Sequence, residues 1–215
     1  MTARPAFDLT LYLIVGSEAV GGRSVEDVAE AAVAGGVTLV QLREKAASTR
    51  AFIAHARALK VRLAPRGVPL IINDRVDVAL AADADGVHLG QDDMPPDAAR
   101  KLLGAGPLLG LSVGDLPEVP DVDPALVDYV GLGSVYPTTT KPDAGAAIGL
   151  ERLRSLRAAL SLPAVAIGGI DAANAADVIC CGVQGVAVVS AICGAADPEA
   201  AARDLRRAVE AARAA

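Results

Sequence analysis

Charged and amide side chains in this sequence gather in short clusters, each placed directly after an apolar run. Gln41-Leu42-Arg43-Glu44-Lys45 follows one run, Asn73-Asp74-Arg75 the next, and His88-Leu89-Gly90-Gln91-Asp92-Asp93 the one after that. Side chains of an extended segment alternate between two faces, so Gln41, Arg43 and Lys45 share one face and Val40 and Leu42 the other. An arginine and a lysine on one face suit a multiply charged phosphate group. The competing reading is a solvated cluster of strand-end charges. Asp74 and Asp93 follow neighbouring runs and can converge. Two carboxylates facing bound phosphate oxygens suit Mg²⁺, which keeps waters and takes one or two protein carboxylates. Each aspartate alone also reads as a helix cap or loop residue, Asp74 ahead of a helix starting near Arg75.

Later clusters repeat the anion theme. Thr138-Thr139-Thr140-Lys141 offers three hydroxyls and one cation in sequence. Gly168-Gly169 and Val189-Ser190 end the last two apolar runs, where glycine lets backbone N–H groups approach a phosphate closely. Glycines there also serve as plain turn formers. His55 sits among alanines in a helical stretch and reads as a surface or packing residue. His88 ends a strand, where a structural hydrogen bond is the first expectation. No order of Ser, His and Asp, and no Cys/His pair, forms a nucleophilic triad.

What positions these clusters is one alternation repeated along the chain. The strand-like runs are Leu9–Val15, Val37–Arg43, Leu70–Asn73, Gly86–Leu89, Leu108–Ser112, Tyr129–Gly133, Ala164–Gly168 and Gly185–Val189. Stretches of helical period lie between and after them: Val25–Ala34, Arg50–Leu63, Arg75–Ala81, Pro96–Leu103, Leu116–Val127, Gly149–Leu160, Ala172–Cys181 and Pro198–Ala212. Alternating strands and helices imply a parallel sheet with right-handed crossovers. Eight such units predict a single (β/α)8 TIM barrel over residues 1–215, with its chemistry at the C-terminal ends of the strands. An open doubly wound sheet would place G-x-G-x-x-G after the first strand, and Gly16-Ser17-Glu18-Ala19-Val20-Gly21-Gly22 lacks that spacing.

The bulk composition agrees. The chain has 215 residues with 53% apolar and 21% charged content, enough for one sizeable core. A net charge of −6 and 2% aromatics argue against nucleic-acid binding, so any anion must be held by a local site. Cys180, Cys181 and Cys193 show no ligand spacing and read as small buried hydrophobes in a reducing, cytoplasmic setting. Val178–Ala196 carries no charge, but Gly182, Gly185 and Gly194 punctuate it. It reads as helix end, turn, strand and turn, and no membrane partner is expected.

Five motifs taken together resemble the thiamine-phosphate synthase family. They are Gln41 to Lys45, Ile71-Ile72-Asn73-Asp74-Arg75, Gly86 to Asp93, Gly133-Ser134-Val135-Tyr136-Pro137-Thr138-Thr139-Thr140-Lys141 and Ile167-Gly168-Gly169-Ile170. The resemblance implies a transferase that joins 4-amino-2-methyl-5-pyrimidinylmethyl diphosphate to 4-methyl-5-(2-phosphoethyl)thiazole, giving thiamine monophosphate and pyrophosphate. It further implies that Gln41, Leu42, Arg43, Glu44, Lys45, Asn73, Ser112 and Lys141 bind the pyrimidine diphosphate. Asp74 and Asp93 would be Mg²⁺ ligands. Thr138, Thr140, Gly169, Val189 and Ser190 would hold the thiazole phosphate, with Thr139 between them also counted as substrate-binding. Arg43, Lys45 and Lys141 would do the charge neutralisation of catalysis. Tyr136 stands where the family commonly has Phe. Two alternatives share the superfamily: a thiazole tautomerase-like barrel, and a non-catalytic phosphate-binding barrel. The first is expected to lack the intact threonine-lysine loop, and the second has no need of both Asp74 and Asp93. Partners are small molecules, and a homo-oligomer is compatible with the sequence.

Overall fold

The computed structural model describes residues 6–138 and 146–214. Eight parallel strands close on themselves in sequence order: β1 Leu11–Val15, β2 Leu39–Leu42, β3 Leu70–Asn73, β4 Gly86–Leu89, β5 Leu108–Val113, β6 Tyr129–Leu132, β7 Ala164–Ile167 and β8 Gly185–Val188. β8 returns to β1 with Leu11 opposite Val186. Helices α1 Val25–Ala34, α2 Thr49–Leu63, α3 Val76–Ala82, α4 Pro96–Leu103, α5 Gly149–Ala159, α6 Ala175–Ile179, α7 Ser190–Cys193 and α8 Pro198–Ala214 surround it. This is the (β/α)8 barrel that the alternation predicts.

Strand alternation divides the apolar residues into two cores. Leu11, Leu13, Val15, Val40, Leu42, Leu70 and Ile72 face outward and pack under the helices. Tyr12, Ile14, Leu39, Ile71, Leu108, Tyr129, Val165 and Ala187 face inward and fill the barrel. Two strand glycines make room for the largest inward rings. A Cβ at Gly110 would fall 2.3 Å from Tyr129 Cζ and 2.4 Å from His88 Nδ1, and one at Gly131 would fall 3.2 Å from His88 Cε1. Below the barrel, Arg100 on α4 meets Asp128 at 2.9 Å, with their side chains only 11% and 4% exposed. Asp128 also accepts from the Leu109 N–H at 2.8 Å, so this ion pair ties α4 to two strands.

Three local expectations are corrected. The expected helix over Leu116–Val127 is a 3₁₀ turn over Leu116–Asp121. Pro117, Pro120 and Pro124 each remove an N–H donor, so an α-helix cannot continue through them. The segment after β8 is a helical turn, α7, where a simple turn was expected. Cys181 and Cys193 are buried as expected, but Cys180, the residue that caps the end of α6, is exposed.

Candidate active site

The C-terminal ends of the strands surround a cavity of about 810 Å³. Gln41, Arg43 and Lys45 line it, as alternation along β2 predicts; Leu42 and Glu44 do not. Leu42 is fully buried under the helices. Glu44 reaches sideways and accepts from the Ser17 N–H at 2.9 Å and its hydroxyl at 2.7 Å, bracing the loop after β1. Arg43 makes no ion pair among the described residues and is half-buried beside the cavity, so its guanidinium is available to an anion.

Asn73 and Asp74 enter from the end of β3. Asp74 adopts the left-handed backbone, with φ of 62°. It does not cap α3, whose N-cap is Arg75 without a side-chain bond. Its carboxylate instead takes the Lys45 ammonium at 2.6 Å. Asp93 comes from the loop after β4 and accepts from the Gly90 N–H at 2.6 Å. Partial burial, and after it the facing Asp74, hold the Asp93 carboxyl above the usual carboxylate range. Two carboxylates thus crowd together, with Lys45 paired to Asp74 as the nearby cation. Among the described residues no cluster of three or more His, Cys, Asp or Glu forms a metal cage. A pair of hard oxygen ligands with room for water is the donor set that Mg²⁺ takes, so the residues fit that ion.

The opposite arc carries Gly168, Gly169, Val189 and Ser190. Gly168 and Gly169 both have positive φ, 105° and 63°. A Cβ at Gly169 would fall 2.7 Å from both the Pro137 carbonyl oxygen and Tyr136 Cβ. The glycine therefore lets the loop after β6 lie against the loop after β7, and that is what brings Thr138 to the cavity edge. Ser190 opens α7 immediately beyond β8, where the first N–H groups of a helix have no intrahelical partner. Ser112 lines the cavity from β5. Thr139, Thr140 and Lys141 lie outside the described residues.

Sequence reasoning missed the cavity floor. The sequence reading assigns Tyr12 and Tyr129 no role beyond their strands, yet their hydroxyls meet at 2.9 Å inside the barrel. His88 makes the structural hydrogen bonds expected of it, to Tyr129 Oη at 3.2 Å and Ser112 Oγ at 3.0 Å. Tyrosines on inward strand positions beside Gln41 were the available signal.

The family model described as thiamine monophosphate synthase matches residues 11–192 of this chain, from β1 to α7. The chain belongs to the thiamine monophosphate synthase family. A member from Xanthobacter autotrophicus, named thiamine-phosphate synthase, is 58% identical over 96% of this chain and 98% of its own length. Another of the same name from Chloroflexus aurantiacus is 54% identical over 93% and 92%. Among solved structures, thiamine phosphate pyrophosphorylase from Pyrococcus furiosus superposes with a TM-score of 0.86 at 39% identity, covering 95% of this chain and 96% of that one. The family membership read from the five motifs is borne out.

Proposed function

We propose that this chain is a thiamine-phosphate synthase. The transferase condenses 4-amino-2-methyl-5-pyrimidinylmethyl diphosphate with 4-methyl-5-(2-phosphoethyl)thiazole to give thiamine monophosphate and pyrophosphate. One observation carries the reading: a single cavity gathers Arg43, Lys45 and the Asp74/Asp93 pair on one arc and the Gly169 and Ser190 loops on another. That arrangement suits two phosphorylated substrates held side by side. The near full-length identity to relatives of that name supports it.

Arg43, Lys45 and Lys141 bind the diphosphate and neutralise it as it leaves. Asn73 and Ser112 orient the same substrate, with Gln41 deeper in the cavity. Leu42 and Glu44 contribute by fixing the strand end from which Arg43 and Lys45 project. Asp74 and Asp93 would hold Mg²⁺, and the ion supplies positive charge against the departing pyrophosphate. Thr138, Thr139, Thr140, Gly169, Val189 and Ser190 hold the thiazole phosphate, partly through backbone N–H groups.

The bond between the methylene carbon and the diphosphate oxygen breaks first, and pyrophosphate leaves with the electron pair. The aminopyrimidine delocalises the resulting cation. The thiazole nitrogen then donates its lone pair to the methylene, forming the new C–N bond. No protein nucleophile is needed, which agrees with the missing triad. Holding both partners in line supplies much of the remaining acceleration.

Residues 1–215 act as one catalytic domain in the cytoplasm, on small molecules and without nucleic acid or membrane. The net charge of −6 argues against a nucleic-acid partner. Among the described residues no helix is long and apolar enough to cross a membrane. The test is to incubate the protein with both substrates and Mg²⁺ and oxidise the product to fluorescent thiochrome. Signal that requires both substrates is expected; no signal from the folded protein overturns the reading.

A further inference from the structure

The helical turn α7 is gripped from behind by a side chain of the neighbouring β1 unit. Arg23 belongs to the loop between β1 and α1, and β1 pairs with β8, the strand that leads into α7. Arg23 Nε donates to the Val20 carbonyl at 3.1 Å, and Nη1 donates to the Ala195 carbonyl at 2.9 Å. Nη2 donates to the carbonyl of Cys193, the last residue of α7. One guanidinium thus ties its own loop to two carbonyls at the end of that turn. Gly21 and Gly22, with φ of 60° and 81°, bend the chain just before Arg23, and a Cβ on either would meet nothing within 4 Å. They serve the backbone path and not the packing. The start of the same loop is held by the Glu44 carboxylate, which accepts from the Ser17 N–H and hydroxyl.

A helix of one turn does not hold its own shape, because nucleation costs more order than one or two hydrogen bonds return. Inside α7 the Cys193 N–H donates to the Val189 carbonyl at 2.8 Å, and the Gly194 N–H donates to the Ser190 carbonyl at 2.9 Å. At its start, the N–H groups of Ser190 and Ala191 donate to no acceptor among the described residues, and Ser190 lines the cavity. At its end, Arg23 takes the Cys193 and Ala195 carbonyls. The turn therefore has open donors toward the cavity and a cation at its acceptor end, about 6 Å away at 1.5 Å per residue. A cation at a helix C-terminus is the favourable placement. The planar guanidinium reaches several carbonyls in one fixed geometry, which an ammonium on a flexible stem cannot do.

We propose that Arg23 is a positioning residue for the phosphate held by the Gly169 and Ser190 loops, fixing α7 so that its first N–H groups stay aimed at that phosphate. The identity of the ligand, the thiazole phosphate, rests on the synthase reading above. Arg23 does not line the cavity, so it acts through α7 and not by contact. The other substrate is assigned to Arg43, Lys45 and the Asp74/Asp93 pair, and the Ser17–Glu44 bonds that brace that side remain when Arg23 is removed. Loss of Arg23 therefore weakens one substrate and spares the other. The fold supplies its own comparison. Arg57 is also exposed and also caps a helix, with Nη2 donating to the Ala81 carbonyl in the last turn of α3 at 2.8 Å, but α3 follows β3 and carries no part of the thiazole phosphate loops.

Calorimetry on the full protein, titrated with 4-methyl-5-(2-phosphoethyl)thiazole and separately with the pyrimidine diphosphate and Mg²⁺, tests this without turnover. Arg23→Ala should weaken binding of the thiazole phosphate at least about tenfold, near 1.4 kcal/mol, and leave binding of the pyrimidine diphosphate essentially unchanged. Arg57→Ala should alter neither. Should Arg23→Ala fail to fold, Arg23→Lys keeps the charge, loses the fork, and should show the same selective loss in smaller measure. Thiazole phosphate binding that is unchanged in the Arg23 variant overturns the proposal. Equal weakening of both substrates, or an equal loss in Arg57→Ala, also overturns it, since a general effect on stability gives that pattern. Unmodified protein that binds no thiazole phosphate overturns this proposal and the synthase reading together. Absent thiamine monophosphate despite binding of both substrates counts against the synthase reading alone, whereas this proposal stands or falls on the pattern of affinities.

Discussion

The Lys45 ammonium lies 2.6 Å from the Asp74 carboxylate, joining the ends of β2 and β3 across the cavity rim. The left-handed backbone at Asp74 is held by its own N–H, which donates to the His88 carbonyl at 2.8 Å. Asp93 faces the same carboxylate. One lysine, paired with Asp74, thus offsets two acids, and a divalent cation would relieve the remaining repulsion. EDTA is expected to abolish turnover and Mg²⁺ to restore it. Asp93→Asn should lower the rate by at least about tenfold, or 1.4 kcal/mol of transition-state stabilisation. Steady-state rates with and without chelator check this, and full activity in EDTA would refute the metal assignment.

Arg43→Ala should damage catalysis and spare the fold. The guanidinium is half-buried at the cavity and braces nothing among the described residues. Catalytic efficiency should fall at least about tenfold. The melting temperature should move by no more than about 2–4 °C, the shift that 1 kcal/mol gives a chain of this size. A large loss of stability with activity retained would make Arg43 structural.

Gly169 lies on the arc of the cavity away from Arg43 and Asp74. Its φ of 63° and the 2.7 Å approach to Tyr136 and Pro137 leave no place for a side chain. Gly169→Ala should cost about 1–3 kcal/mol of stability from backbone strain alone. By pushing the loop after β6 aside, it should raise the Michaelis constant for the thiazole phosphate about tenfold. Calorimetry should find binding of the pyrimidine diphosphate much less changed; the opposite pattern would reverse the allocation of the pockets.

The buried Arg100–Asp128 pair should dominate polar contributions to stability. Removing one partner leaves the other charge uncompensated, and Asp128→Ala should cost about 3–5 kcal/mol. Asp97→Ala breaks an exposed pair with Lys101, whose side chains are 59% and 78% exposed, and should cost almost nothing. Paired denaturant titrations decide whether the two differ as stated.

Thiol accessibility gives an independent check on the fold. Burial pushes the Cys193 thiol up to about 12 and raises that of Cys181, while Cys180 is exposed. Iodoacetamide at pH 8 should label Cys180 alone in the native protein and all three in denaturant, as peptide mass spectrometry would show. Native labelling of Cys193 would contradict the packing against β1.

The barrel was legible because every strand is a short apolar run and every rim cluster follows one. Gln41, Arg43 and Lys45 could be separated from Leu42 by alternation alone. Glu44 could not be placed on Ser17 that way, since that bond joins two loops distant in sequence. The three prolines after Leu116 carried the signal against a helix, but the apolar period around them masked it. Asp74 and Asp93 were read as convergent from the strand order, whereas the Lys45 contact depends on the left-handed turn at Asp74. The floor was least legible: Tyr12, Tyr129 and His88 connect only once the sheet closes and Gly110 and Gly131 open space for the rings.

The central claim is that one cavity joins two phosphorylated substrates, and ³¹P NMR of the complete reaction tests it most directly. With both substrates and Mg²⁺ present, the organic diphosphate signals should decline while inorganic pyrophosphate and thiamine monophosphate grow in equal amounts; omitting the thiazole should prevent thiamine monophosphate from forming. Phosphate spectra that stay unchanged in the presence of folded protein would contradict the account.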